Sequence, residues 1–163
     1  PGDRVKSLPA GFVSTIKTIE LNGEQIAEAF APMSVTMTLE DEIDTSRGDM
    51  IVRENNVPEV GQDLEVLLTW MNSNPLLART KVVIKHTTNE CVAMVKELKY
   101  KVDINTLHRI ENIDKIEMNG IGRISIRTSK PLFYDAYRRN RQTGSIIIID
   151  EQTNETIGAG MII

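Results

Sequence analysis

The chain has 163 residues, 40% of them apolar and 26% charged, with a net charge of −4 and a mean hydropathy of −0.20. That length suits one ordinary domain or two small ones, and no apolar run approaches the ~20 residues that a membrane-crossing helix needs. The acidic balance argues against broad nucleic-acid binding, which rests on phosphate neutralisation, and the single cysteine, Cys91, excludes an internal disulfide.

The chain opens on Pro1-Gly2-Asp3, a turn signal with no initiator methionine, so a piece of a longer protein is expected. No basic-then-apolar leader opens it, and with the lone cysteine this makes a cytoplasmic location the expectation. Phe12 to Ile19 reads as a strand, and Leu21-Asn22-Gly23-Glu24 as a hairpin turn of the Asn-Gly kind. Gln25 to Ala31 has helical propensity, ended by Pro32. Val35, Met37 and Leu39 then alternate with Thr36 and Thr38, the period of a half-buried strand. A charged turn, Glu40 to Asp49, follows. Gly48 sits where the chain reverses, and Ile43 is its lone aliphatic residue, expected to tuck back onto the sheet.

A polar stretch broken by Pro58 and Gly61 marks a boundary. Residues 1–57 carry 5 Lys and Arg against 10 Asp and Glu, and residues 58–163 carry 14 against 13. Two modules, 1–57 and 58–163, are therefore expected. The second opens on the clearest alternation in the chain, with Leu64, Val66, Leu68 and Trp70 on one face. Lys81 to Lys85 is a short strand, and Val92, Met94, Leu98, Tyr100 and Val102 form the next inward face, opposed by Glu97, Lys99, Lys101 and Asp103. Leu107, Ile110, Ile113 and Ile116 recur every three residues and predict a helical turn entered through Asn105 or Thr106. Ile124 and Ile126, Ser145 to Asp150, and Thr156 to Ile163 complete the strands, with a turn at Thr153-Asn154-Glu155. Many short strands with a turn every 8–12 residues predict an all-β protein built of antiparallel barrels.

The motifs add a resemblance. Leu39 to Val52, LEDEIDTSRGDMIV, is followed in order by Thr69-Trp70-Met71, Lys101 to Leu107, Asn119-Gly120-Ile121-Gly122, Asp135-Ala136-Tyr137, Asn140, Thr143-Gly144, Ile149-Asp150 and Gly158 to Ile162. In this order they resemble the large, GTP-binding subunit of bacterial sulfate adenylyltransferase, a relative of elongation factor Tu. The resemblance covers essentially the whole chain, and it implies strand and loop where the residue pattern suggests helix, at 25–31 and around Leu107 to Ile116. It implies two antiparallel β-barrels of the elongation factor Tu domain 2 and domain 3 type, the first truncated: 1–57 as part of the second-domain barrel and 58–163 as the third-domain Greek-key barrel. It also implies a parent enzyme that couples GTP hydrolysis to formation of adenosine 5′-phosphosulfate and pyrophosphate from ATP and sulfate.

The chemistry of that parent is not expected here. The chain has no phosphate-cradling Gly-x-x-x-x-Gly-Lys-Ser/Thr loop and no Asn-Lys-x-Asp motif. GTP and magnesium are expected in a GTPase domain outside these residues, and this piece is expected to be inactive alone, with no catalytic, cofactor-binding or metal residues. His86 and His108 fit no common zinc spacing, and Cys91 reads as a structural thiol. The carboxylates Asp41, Glu42, Asp44 and Asp49 are oxygen ligands of the kind calcium prefers, but their spacing is wrong for a calcium loop. Gly158-Ala159-Gly160 reads as a place of close approach within a barrel.

Candidate domain or subunit interface residues are therefore Glu40, Asp41, Glu42, Asp44, Arg47 and Asp49 in the acidic turn, and Arg138, Arg139 and Arg141 beside Tyr134 and Tyr137. Arg47 either neutralises its acidic neighbours or reaches across a domain contact. The arginine cluster is a charged turn or a stacking site for single-stranded nucleic acid. The expected partners are the small catalytic subunit and the chain's own GTPase domain, with no membrane and no nucleic acid. The alternatives are barrels of a translational GTPase contacting tRNA, or a free-standing β-barrel adaptor.

Overall fold

Backbone pairing accounts for nearly all of the regular structure in the computed structural model, which describes all residues 1–163 and contains no helix. The chain divides into two units, Pro1–Val57 and Pro58–Ile163. In the first, β1 (Arg4–Leu8), β2 (Val13–Leu21), β3 (Glu24–Gln25), β4 (Thr36–Leu39) and β5 (Met50–Arg53) form one antiparallel sheet, ordered β3-β2-β1-β5 with β4 on β2. Leu21 pairs with Glu24 across Asn22 and Gly23, both at positive φ, the two-residue turn whose twist suits a hairpin. The sheet does not close. Val5, Leu8 and Ile19 are buried, whereas Ile16, Met37 and Val52 are half-buried around an open hollow of about 560 Å³ that Asp3, Glu28 and Arg53 also line.

The second unit contains β6 (Glu59–Trp70), β7 (Leu76–Leu77), β8 (Lys81–His86), β9 (Asn89–Val102), β10 (Arg109–Glu111), β11 (Lys115–Ile116), β12 (Ile121–Tyr134), β13 (Ser145–Ile149) and β14 (Thr156–Ile162). The pairing β9-β12-β6-β14-β13-β8 returns to β9, giving a closed six-stranded antiparallel barrel with β10 added on β9. Leu64, Val66, Leu68 and Trp70 all point inward, as their alternation predicts. They meet Ile84, Val95, Ile124, Ile126, Ile146 and Ile148. Each fully buried aliphatic side chain contributes about 1.5–3 kcal/mol relative to exposure. The Trp70 indole is buried with its Nε1–H donating to the Asn74 carbonyl at 2.7 Å, so no polar group is stranded there. The short β7–β11 ribbon adds Leu76 and Ile116 to the core, and Ile116 rests on Gly122, where a Cβ would lie 2.6 Å from its side chain.

Three local expectations are corrected. Gln25 to Ala31 is not helical. The tight hairpin commits Glu24 and Gln25 to pairing, Ile26 N–H donates to the Ile19 carbonyl at 2.9 Å, and too few residues remain before Pro32 to nucleate a helix. Residues 107–116 are two short strands, not a helical turn. The Asp103 carboxylate accepts the N–H groups of Asn105 and Thr106, Leu107 and Asn112 take positive φ, and the isoleucines do not share a face. In β9 the inward residues are Cys91, Ala93, Val95 and Leu98, not Val92 and Met94, and a second register shift turns Tyr100 outward beside Arg123. Lys96 and Glu97 are both exposed, where β9 shifts register against β12, and this bulge changes the phase of the alternation.

Two turns are held by aspartates. Besides Asp103, Asp150 accepts the N–H groups of Thr153 and Gln152 at 2.9 and 2.8 Å. Hydrogen bonds to the ionised form hold both carboxyls below the usual aspartate value near ~3.9. A folded-state value below the unfolded one stabilises at pH above the unfolded value and loses that stabilisation as pH falls through the folded one. The amide protons of Asn105 and Thr153 should therefore titrate in an NMR series with midpoints below ~3.9, and Asp103→Asn and Asp150→Asn should abolish the respective steps. A midpoint at or above that value would count against the caps.

Candidate functional site

The sequence candidates lie in separate units, and each is described in its own. In the acidic turn two carboxylates are already engaged. Asp41 accepts from the Ser14 hydroxyl at 2.8 Å, and its N–H donates to the same oxygen at 3.2 Å. Asp49 closes the reverse turn: its N–H donates to the Ser46 carbonyl at 3.0 Å, its carboxylate accepts the Ser46 N–H at 2.8 Å, and Gly48 takes φ +102°. Glu40, Glu42, Asp44 and Arg47 are exposed. Arg47 makes no direct ion pair, and Ile43 is half-buried. No group of three or more His, Cys, Asp or Glu side chains is arranged to hold a metal ion.

The arginine cluster behaves as three separate side chains. Asp135 organises the 135–144 turn by accepting from the Thr143 hydroxyl at 2.8 Å and pairing with Arg139 at 3.8 Å. The Thr143 carbonyl in turn accepts from Nε2–H of the buried His86 at 2.7 Å, which fixes that ring as a structural group. Tyr137 N–H donates to the Ile162 carbonyl and Ile162 N–H to the Gly144 carbonyl, both at 2.8 Å, so the turn hangs on β14. Arg141 is exposed and unpaired. Arg138 alone faces a depression.

That depression, about 450 Å³, lies on the outer face of the second unit. Its floor follows the register of the outer face: Tyr100 on β9 pairs with Arg123 on β12, which pairs with Leu67 on β6, which pairs with Met161 on β14. Arg109 lies over the Tyr100 ring with its guanidinium carbon 4.7 Å from the centroid, a cation–π contact. Arg123 is anchored by Glu65, and that hydrogen bond raises its pKa above the usual value. Tyr137, Arg138 and Ile163 form the opposite rim. Reading along the chain finds Arg138 because it sits in a run of arginines. It misses Arg109 and Arg123, which reach the groove through strand register.

The remaining reactive side chains are structural. Burial pushes the Cys91 thiol up, which suppresses the nucleophilic thiolate. His108 is exposed in a turn. Gly160 faces the barrel interior, where a Cβ would lie 2.4 Å from Val66, so its role is packing.

The family model described as "GTP-eEF1A C-terminal domain-like" matches residues 63–163. The chain belongs to that family. The matched span holds the whole groove and the 135–144 turn, and the acidic turn lies outside it. The bifunctional enzyme CysN/CysC of Rhodopirellula baltica is 45% identical over 162 residues, covering 99% of this chain and 25% of that protein. Sulfate adenylyltransferase subunit 1 of Bacteroides fragilis is 44% identical, covering 99% of this chain and 34% of that protein. The chain thus spans a quarter to a third of these curated relatives. The crystal structure of Sup35 complexed with GDP superposes with a TM-score of 0.86 at 14% identity, over 99% of this chain and 40% of that one, a likeness of fold. The elongation-factor-type barrel expected from the motifs is what the family and the fold contain.

The family's C-terminal barrel here depends on Gly144, buried where a Cβ would meet Tyr137 Cα at 2.4 Å and the Asn140 carbonyl at 2.7 Å. Backbone atoms cannot yield cheaply. Gly144→Ala should destabilise the barrel by about 2–4 kcal/mol in urea unfolding, and an unchanged transition would show that the turn is loosely held.

Proposed function

We propose that this chain is the C-terminal β-barrel region of the GTPase subunit of a sulfate adenylyltransferase. The observation that carries the reading is identity of 44–45% across 99% of the chain to proteins named for that enzyme. In this reading the parent couples GTP hydrolysis to formation of adenosine 5′-phosphosulfate and pyrophosphate from ATP and sulfate. GTP and magnesium belong to a GTPase domain outside these 163 residues. The barrels supply docking and coupling surfaces for that domain and for the small catalytic subunit, the two-state domain arrangement being the usual currency of such switches.

The acidic turn and the arginine groove are the two surfaces offered for this work. Glu40, Glu42, Asp44 and Arg47 are exposed and unpaired, and Arg138 projects from a turn held rigidly on β14. Unpaired charges at a contact steer encounter and fix orientation more than they add affinity.

The purified chain mixed with the small catalytic subunit should co-elute in gel filtration at low and moderate salt, and should form no adenosine 5′-phosphosulfate without that subunit. Separate elution at both salt concentrations, or turnover by the 163-residue chain alone, would sink the reading.

A further inference from the structure

The outer-face groove holds two arginines without an ion-pair partner over an apolar floor. Most strand-borne cations of the barrel are paired: Arg127 and Lys96 with Asp63, Lys81 with Glu151, Lys85 with Glu90, Lys99 with Glu97, Lys101 with Glu117. In the groove only Arg123 is matched, by Glu65. Arg109 and Arg138 have no carboxylate partner, and no Asp or Glu lines the depression. A protein with net charge −4 thus keeps two unpaired guanidinium groups facing one hollow.

Geometry sets them on opposite rims. Arg109 stands on β10 beside β9, and Arg138 stands past β14. The Arg109 guanidinium rests over Tyr100 of β9, and from there past β14 to the turn that carries Arg138 is three to four strand spacings, about 14–19 Å at ~4.8 Å each, which an extended chain crosses in roughly four to six residues. Between the rims lie Leu67 and Met161, both half-buried. Two charge-seeking ends separated by an aliphatic bed fit a peptide better than a polynucleotide. Of the two tyrosines at the groove, Arg109 covers Tyr100 and leaves only Tyr137 on the rim, too few aromatic faces for a run of stacked bases.

We propose that this groove docks an acidic peptide segment of a partner protein, in which two carboxylates about four to six residues apart pair with Arg109 and Arg138 while an apolar side chain between them settles on Leu67 and Met161. The carboxylates take the planar guanidinium forks in bidentate fashion, and the apolar residue removes the groove's exposed hydrocarbon from water. The inference stands on the groove's own chemistry and not on the sulfate adenylyltransferase reading.

The test is fluorescence anisotropy on the 163-residue chain with labelled synthetic peptides carrying two glutamates about four to six residues apart around a central leucine. Saturable binding is expected. It should weaken about tenfold or more in Arg109→Glu and in Arg138→Glu, the scale of losing one charged hydrogen bond. Both residues are exposed, so the fold should survive, and reciprocal changes on the wild-type chain make the result independent of that. Glutamines for the glutamates, or alanine for the leucine, should weaken binding comparably. No saturable binding below about 1 mM, binding indifferent to both arginines, or tighter binding of a ten-residue oligouridylate through them would overturn the proposal. So would concentration-dependent self-association abolished by Arg138→Glu, which would assign the groove to a second copy of the chain. Peptide binding can fail while the small subunit still co-elutes, and the reverse, so the two readings fail separately.

Discussion

Closure of the strand ring is the constraint on which the second unit depends. β9 pairs with β12 on one side and with β8 on the other, so the six strands satisfy one another's backbone groups and leave no open edge within the ring. Closure fixes register, and register fixes which side chains look in and which look out. The apolar interior from Leu64 to Ile162 and the outer row Tyr100, Arg123, Leu67 and Met161 are two faces of one pairing scheme. A slip of a single residue would exchange them.

The first unit shows what the absence of closure does. Its sheet has the same antiparallel pairing, and its hairpin has turn residues suited to their conformation. Yet few of its apolar side chains are fully buried, and its concave side remains open. Local rules are satisfied in both units, whereas global burial is achieved in only one. A chain segment of this size buries a smaller share of its surface than a full domain does, which makes the acidic turn's own fastenings, Ser14 to Asp41 and Ser46 to Asp49, locally important.

Alternation made the barrel strands legible where they run without interruption, as in Leu64 to Trp70 and Ile124 to Ile126. It failed in β9 because a bulge is invisible to a period of two: the phase before Lys96 differs from the phase after Glu97. The spacing from Leu107 to Ile116 misled for a related reason. An Asp103 carboxylate and two left-handed residues shape that segment, and neither leaves a periodic trace. Of the groove, sequence gave up only Arg138 and Tyr137. Arg109, Arg123 and Tyr100 converge because β10, β9 and β12 are neighbours, which is a fact of pairing order.

The position of β14 carries a consequence for synthesis. β14 lies between β6 and β13, and it is the last of the barrel's own strands to be synthesised. Until Thr156–Ile162 emerges, β6 and β13 each present an unpaired backbone edge, and inward side chains such as Val66, Leu68, Ile146 and Ile148 stay uncovered, the kind of surface that recruits chaperones or neighbouring nascent chains. The ring is completed only when its last strand pairs, so chains stalled before Thr156 would be the sticky species, and quality control would meet them with the barrel still open.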